Sequence, residues 1–445
     1  MQTSNDPNHI DYDVIVVGGR LAGSTLAARL GKFGYKVLLL ERGTLPSLPP
    51  VSSPIIYAST MTLLDEIGAR ESEYARDTPK IRRMVQALSA GVQMAITLPE
   101  IEGRDYAYAV DRARFDAGLW DAALRFPTVT GWQNFAVTDL LWEGEGAQRK
   151  VVGVIGRGED KVEKQIRARL VVGADGRFSL VARKVNAQVR ESEEDYPASI
   201  YYAYWKNVQR YDENGDATAV AYAGDGPYGL LVMDSAENTS AVVMEGRADF
   251  FANVQDAEAF YLEHCKAHPL LAKRLEGAEP VTSVRGMKEV GNNYREAGGP
   301  GWALVGDAYH QKDALDGQGI YNAVFSSKAL AHAFRDWHRG EMTWREAVEW
   351  YDETVRIKTY SAFKALLSRI QMSFYAPPPP EWMMNSVTRW IMDDPAMQDL
   401  MGQFVTRKIP AEMMQIMSPV VVTRAVLRGG LRDLGEQVKA RLGLS

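Results

Sequence analysis

The 445-residue sequence holds a single cysteine, Cys265. No intrachain disulfide can form, which fits a reducing compartment, and a cytoplasmic protein is expected. A lone cysteine reads as a small buried hydrophobe rather than a nucleophile. No run of about 18 apolar residues occurs, so no membrane span is expected. The longest apolar runs, "DVIVVG" and "YKVLLLE", have the length of strands. An excess of positive charge is also missing: 51 Lys and Arg stand against 57 Asp and Glu, a net charge of −6. That argues against nucleic acid as a main partner, because phosphate binding needs a basic surface. The opening "MQTSNDPNHIDYD" lacks the basic-then-apolar pattern of a signal peptide. The six histidines form no ligand spacing; His264 and His268 share a helix face without an acidic partner motif, so no metal is expected. Beyond the four prolines at 377–380 there is no repeat and no low-complexity tract.

What is present is ordinary for a globular enzyme: 46% hydrophobic and 24% charged residues. The length predicts two or three structural units. "DYDVIVV" (11–17) is short, β-branched and continuous, the pattern of a strand buried on both faces. Gly18 and Gly19 end it, and "RLAGSTLAARLGKFG" follows with Leu26, Leu30 and Phe33 on one helical face. "YKVLLLE" is a second strand ending at Glu41. Strand, glycine turn, helix and strand within about 30 residues make a βαβ unit and hence a parallel sheet. Further along, 43–54 reads as loop, 57–69 and 111–124 as helices, and 168–176 as another buried strand. Residues 199–246 read as an antiparallel sheet with a turn at Asn214-Gly215, and 256–275 as a helix. The region 344–375 has no Pro or Gly and reads as one long helix that "PPPP" breaks; the Met-rich last 65 residues read as a helical cap.

The first chemical signal is "VIVVGGRLAGS". In a dinucleotide turn the first glycine permits the bend, the second admits the pyrophosphate and the third lets helix and strand pack closely. Gly18 and Gly23 hold the first and third places, and Arg20 holds the second. Its side chain must point away from the phosphates, or help to neutralise them. Glu41 lies 23 positions after Gly18, where a carboxylate accepts hydrogen bonds from an adenosine ribose.

Two further stretches, "RLVVGADGRFSLVAR" (169–183) and "GWALVGDAYHQKDALDGQGI" (301–320), share the pattern of a strand ending in glycine and aspartate. With the first turn they resemble the three FAD fingerprints of the group A flavoprotein monooxygenases. These have the para-hydroxybenzoate hydroxylase-like fold, shared with geranylgeranyl reductases and flavin-dependent halogenases. The resemblance implies an α/β protein with a Rossmann-like (GR2-type) FAD-binding domain, an inserted antiparallel substrate domain and a helical C-terminal region. The corresponding boundaries are 10–75, 100–190 and 285–345 for the FAD domain, 76–99 and 191–284 for the substrate domain, and 346–445 for the helices.

The resemblance also implies roles. Gly18, Gly19, Arg20, Leu21, Ala22 and Gly23 would face the pyrophosphate, with Glu41 and Arg42 at the adenosine and Ala136 or Val137 beside the adenine. Arg112, opening "RARFDAGLWDA", would touch the flavin's linker. Asp175 would lie in the region of FAD and nicotinamide contact. Asp307 would accept a hydrogen bond from a ribityl hydroxyl. Gly317, Gln318, Gly319 and Ile320 would present helix N–H groups to the flavin's pyrimidine edge, where reduction places negative charge. The loop carries Ala314 where many members have a proline.

The activity implied is an NAD(P)H-dependent hydroxylation of a small aromatic or polyketide-like molecule through a flavin C4a-hydroperoxide. A C=C reductase of the geranylgeranyl type is the alternative. A halogenase is disfavoured by the missing Trp-x-Trp-x-Ile-Pro signature. In "YYAYW", Tyr202 and Tyr204 share one strand face and are candidates to line a substrate pocket. Tyr309 and His310, in the loop expected beside the ring, are candidate proton handlers.

Overall fold

A computed structural model describes residues 10–47, 55–88, 91–223 and 226–442. The signal-peptide reading at 1–9 and the loop reading at 48–54 lie outside these residues. Two large sheets and a helical C-terminal region make up the architecture, as the sequence predicts.

The first sheet is built on Tyr12–Val17. Val14, Ile15 and Val16 are wholly buried, so this strand must be covered on both faces. It pairs in parallel with Val37–Leu40 on one side and Glu163–Gly173 on the other. Trp302–Leu304 continues the sheet beyond Glu163–Gly173, and Val129–Trp132 beyond Val37–Leu40, both in parallel. Helix Leu21–Lys32 packs on this sheet through its wholly buried Leu26, Ala27 and Ala28. Each fully buried Val, Leu or Ile contributes about 1.5–3 kcal/mol, so a polar replacement at Val16 would undermine the centre of the layer.

The register fixes where the chemistry sits. Val17 lies opposite Gly173, and Gly173 opposite Leu304. Three strands therefore end at one level, and all three sequence fingerprints leave the sheet from that edge. Ligands of open α/β sheets bind there, outside the carboxyl ends of the strands.

The second sheet forms a roof. Its order is His310–Gln311, Arg285–Arg295, Val189–Lys206, Thr239–Arg247, Tyr228–Asp234, Thr218–Ala223, Arg83–Leu88 and Gln93–Thr97. Pairing is antiparallel except between Thr218–Ala223 and Arg83–Leu88. One face carries Tyr201, Ala203 and Trp205 into a separate core with Phe251, Tyr261 and Cys265. Burial pushes the Cys265 thiol up to about 12, which removes it from thiolate chemistry. The other face carries Ile200, Tyr202 and Tyr204 toward the first sheet's edge.

Two expectations change in detail. The helix expected over 256–275 runs only from Ala257 to Ala267. Pro269 disfavours helical backbone at the residue before it, and His268 is accordingly extended at φ −70° and ψ 119°. His268 thus lies past the helix rather than on the face of His264. The long helix is Trp344–Ile370, opened by a reciprocal cap between Thr343 and Glu346 and followed by a wider turn, Gln371–Tyr375, before the prolines. No helix among the described residues is long and apolar enough to cross a membrane.

Candidate functional site

Three turns meet at the common strand edge. In the first, Gly18 takes φ +109°, and a Cβ there would lie 2.4 Å from the Ala174 carbonyl oxygen. The first and second fingerprints are therefore in backbone contact, and only glycine fits. At Gly23 a Cβ would lie 1.8 Å from the Gly18 carbonyl oxygen, which is the close helix–strand approach the third glycine allows. Arg20 is the residue before the helix, extended at φ −80° and ψ −164°, a conformation open to any residue. That is why an arginine can stand in the second position. The first helical bond runs from Ser24 N to Arg20 O at 2.8 Å, and no side chain caps the helix start. The N–H groups of Leu21, Ala22 and Gly23 thus precede the intrahelical ladder, a ready anion site.

Glu41 is buried, and its carboxylate accepts from Gly19 N at 2.9 Å and Gly43 N at 3.0 Å. Two backbone donors hold it at the end of its strand with lone pairs to spare for a ribose. Phe135 N donates to Glu41 O at 3.0 Å, which sets Ala136 and Val137, the first residues of strand Ala136–Glu143, beside the same end. Arg42 is exposed.

In the second turn the Asp175 carboxylate accepts from Ser179 Oγ at 2.5 Å, Leu180 N at 2.6 Å and Val181 N at 3.3 Å. It is bound up in starting the helix Leu180–Lys184, and burial raises its pKa. Its neighbour Arg177 is the residue that reaches the third turn: Nε donates to Asp307 Oδ2 at 3.1 Å. Arg177 lay within the quoted stretch, but nothing in the sequence pairs it with a residue 130 positions away.

In the third turn Gly306, at φ +61°, would bring a Cβ to 2.9 Å from Ala22 Cβ, so this turn packs on the first helix. Asp307 keeps 37% of its side chain exposed at the strand end. Gly317 is at φ +65°, and a Cβ there would lie 2.7 Å from an Ile55 methyl. Gln318 differs from the other members of its stretch. Its N–H donates to Asp316 Oδ1, its Nε2 to Val405 O at 2.6 Å, and its Oε1 accepts from Arg407 Nε at 2.7 Å. Gln318 therefore ties the turn to the C-terminal region. Gly319 is exposed, with no atom within 4 Å of where a Cβ would stand. The first bond of helix Gly319–His338 is Asn322 N to Gln318 O at 3.0 Å, so the N–H groups of Gly319, Ile320 and Tyr321 precede its ladder.

Arg112 is buried and its Nη2 donates to both Asp116 carboxylate oxygens at 3.1 Å. It also lies within electrostatic reach of Asp307. Tyr202 shows the charge of the site. Burial pushes its phenol up to about 12, while Arg112, Arg285, Arg20 and Arg177 all act to lower it. Four guanidinium groups from separate parts of the chain thus face one tyrosine on the roof. Tyr204 lies in the same apolar cluster, and burial raises its phenol strongly.

Tyr309 and His310 occupy a different environment from the one the sequence suggests. Residues His310 and Gln311 do not stay in a loop; they pair with Tyr294 and Asn293 as a short strand. This sends both rings into the core. Tyr309 is wholly buried and donates to Asp352 Oδ1 at 2.6 Å, and burial followed by that carboxylate raises its phenol far out of the neutral range. His310 stacks on Tyr294 with centroids 3.8 Å apart and planes at 4°. Burial, and then Lys312, lower its pKa to about 3, so it is neutral at ordinary pH. Both rings are buried in this geometry rather than bordering an open loop.

The donors and charges fit an elongated dianionic dinucleotide. Open helix N-termini lie at the first and third turns, arginines face the space between, a held carboxylate stands at one end and an open glycine at the other. Comparison with known proteins agrees. A tryptophan 2-halogenase of Chondromyces crocatus is 25% identical over 341 residues, covering 76% of this chain and 64% of that protein. The chain thus spans less than two thirds of that relative's length. The 3-demethoxyubiquinol 3-hydroxylase of Escherichia coli is 26% identical over 327 residues, covering 69% and 75% respectively. The solved flavin-dependent brominase Bmp2 shares the fold at a TM-score of 0.75 and 19% identity, covering 95% of this chain and 99% of that one. The family described as FAD binding domain matches residues 11–353, which take in all three turns, and the chain belongs to that family of FAD-dependent oxidoreductases.

Proposed function

We infer that this oxidoreductase draws electrons from NAD(P)H and hydroxylates a small aromatic or polyketide-like molecule held between the third turn and the roof. The observation that carries the reading is the roof face itself. Tyr202 and Tyr204 point, with Ile200 and Val243, toward the turns that fit the cofactor. A flat apolar substrate would bury its faces there against rings that carry phenol groups at their edges. Bound FAD would supply the two-electron transfer and the oxygen chemistry. The chain's own part is to bind, orient and exclude water. Leu21–Gly23 and the arginines would hold the pyrophosphate, Asp307 the ribityl chain and Glu41 the ribose. The N–H groups of Gly319, Ile320 and Tyr321 would stabilise negative charge at the pyrimidine edge.

A second reading, halogenation, is supported by the tryptophan halogenase and the brominase among the similar proteins. One assay separates these. The purified protein is loaded with FAD, and NADPH oxidation is followed across a panel of phenols and polyketides, with and without bromide, while peroxide is measured. Product carrying one added oxygen, formed in step with NADPH use, supports hydroxylation. Bromide-dependent brominated product replaces that reading with halogenation. Oxygen-independent saturation of an alkene replaces it with reduction. A protein that takes up no FAD refutes all three.

A further inference from the structure

Helix Pro395–Val405 of the C-terminal region ends beside the third turn. Thr406 closes it, and Arg407 follows at φ +59°. The Arg407 N–H donates to Phe404 O at 3.0 Å, and Lys408 N donates to Gln403 O at 2.9 Å. Glycine usually fills such a place, because a Cβ crowds left-handed backbone. A long side chain held there against that strain points to a task its contacts perform.

Those contacts converge on the start of helix Gly319–His338. Arg407 Nε donates to Gln318 Oε1 at 2.7 Å, and Nη2 donates to Asn322 Oδ1 at 2.9 Å. The guanidinium carbon stands 4.4 Å from the centre of the Tyr321 ring, a cation–π distance. Gln318 precedes the helix, and Tyr321 and Asn322 are among its first four residues. The third donor, Nη1, bonds Lys358 O at 3.2 Å. The Gln318 amide is used at both ends, since its Nε2 donates to Val405 O at 2.6 Å. The end of one helix thus grips the residue that leads into the open N–H groups of another.

The charge is placed as deliberately as the bonds. All three acceptors of Arg407 are neutral: two side-chain amides and a backbone carbonyl. Asp316 attracts it from farther off, but that carboxylate is ion-paired with Lys312. A guanidinium stays charged at any ordinary pH. This one lies between two helix ends. The C-terminal end of Pro395–Val405 favours a cation, whereas the N-terminal end of Gly319–His338 disfavours one. An anion arriving at that second end would be drawn by both the free N–H groups and the guanidinium.

We propose that Arg407 is a positioning residue for the flavin: it clamps Gln318 and the first turn of Gly319–His338, and its charge strengthens that helix start toward the negative charge that reduction leaves at the pyrimidine edge. The C-terminal region thereby becomes part of the redox site, and reduced flavin is held more tightly than oxidised flavin through it. The assignment rests on the reading that Gly319, Ile320 and Tyr321 meet that edge.

The test uses the full chain with bound FAD and measures the flavin midpoint potential by anaerobic titration against a reference dye. Arg407→Gly removes the clamp at a backbone conformation that glycine accepts freely, so the variant should fold, which urea unfolding checks. Its preference for reduced over oxidised flavin should fall roughly tenfold, the scale of one charge at a partly buried helix end, which is a midpoint about 30 mV more negative. Arg407→Gln, which lacks the charge but keeps a polar group for Gln318, should shift the same way. Arg407→Lys keeps the charge and should stay within about twofold of wild type, or about 9 mV. An unchanged midpoint in Arg407→Gly and Arg407→Gln overturns the proposal. So does an Arg407→Lys shift as large as theirs, because the charge would then do nothing. Gly319→Ala separates this from the reading beneath it. If Gly319→Ala weakens FAD binding while the Arg407 variants keep the wild-type midpoint, only the role of Arg407 falls. If Gly319→Ala binds FAD as wild type does, the contact at the pyrimidine edge is refuted, and the role of Arg407 with it.

Discussion

Asp307 and Asp175 look alike in sequence, each following glycine or glycine-alanine at a strand end, but their surroundings differ, and opposite duties are expected of them. Asp307→Ala should weaken FAD binding without unfolding the protein. Its carboxylate is partly exposed, and its side-chain partner among the described residues, Arg177, lies 3.1 Å away. A salt bridge that exposed contributes about 0–1 kcal/mol to stability. A hydrogen bond from a ribityl hydroxyl to a fixed carboxylate contributes about 1.5–3 kcal/mol to binding. At about 1.4 kcal/mol per decade, that loss raises the FAD Kd by about 10- to 150-fold. Arg177, released, can turn toward the pyrophosphate and recover part of this, so the lower half of the range is expected. Asp175→Asn should show the reverse pattern. Its carboxylate accepts from Ser179, Leu180 and Val181, and an amide can satisfy only part of that set. Loss of a helix-starting acceptor costs about 0.5–2 kcal/mol, while FAD affinity should stay within about threefold. Flavin fluorescence titration of apoprotein and urea unfolding measure the two quantities separately. If Asp307→Ala binds FAD within threefold of wild type, or if Asp175→Asn loses affinity without losing stability, the assignment of duties is wrong.

Other substitutions separate fold from site in the same way. Gly319→Ala should leave stability equal or raise it by up to about 1 kcal/mol, because alanine favours the helix and meets no atom within 4 Å. The same methyl should weaken FAD binding by blocking the approach of the ring. Gly317→Ala should instead destabilise the apoprotein by about 1–3 kcal/mol, from its φ of +65° and the Ile55 methyl at 2.7 Å; thermal melts of both apoproteins check this. His310 is held neutral down to about pH 3, against an ordinary value of 6.5. The unfolded chain therefore binds the extra proton, and stability falls as pH drops below about 6.5, by up to about 1.4 kcal/mol per pH unit. His310→Phe keeps a ring against Tyr294 and should flatten that acid slope in urea titrations between pH 6 and 4. For Glu245 the sign is reversed. Its folded pKa is raised from 4.5, so the folded state keeps a proton the unfolded chain has released, and stability falls as pH rises above about 4.5. Glu245→Gln should remove this decline, becoming the more stable protein relative to wild type as pH increases. Parallel slopes for the two proteins would show that Glu245 titrates normally.

Which of these residues could be read from sequence follows from how far apart their partners lie. Gly18, Gly23 and Glu41 belong to one βαβ unit, where spacing alone dictates contact, and the structure returns the held carboxylate and the tight glycine approaches. Arg20 departs from the glycine pattern yet fits, because what that position requires is an extended backbone before a helix. Tyr309 and His310 are buried rather than loop-exposed because their surroundings depend on pairing with residues 293 and 294 and on packing against the distant helix Trp344–Ile370. A loop reading sees only chain neighbours. Arg177 and Asp307 illustrate the same limit across 130 positions. Glu245 is the most instructive case. Strand parity could have placed it on the face of Val243 and Ala241, since all three alternate along "AVVMEGR". A lone glutamate in that pattern reads as a strand end turning polar. Only the register against Ile200 and the packing around that face make it a buried acid. Long-range geometry thus gives polar residues their chemistry here, while local pattern suffices for the turns that would hold the cofactor.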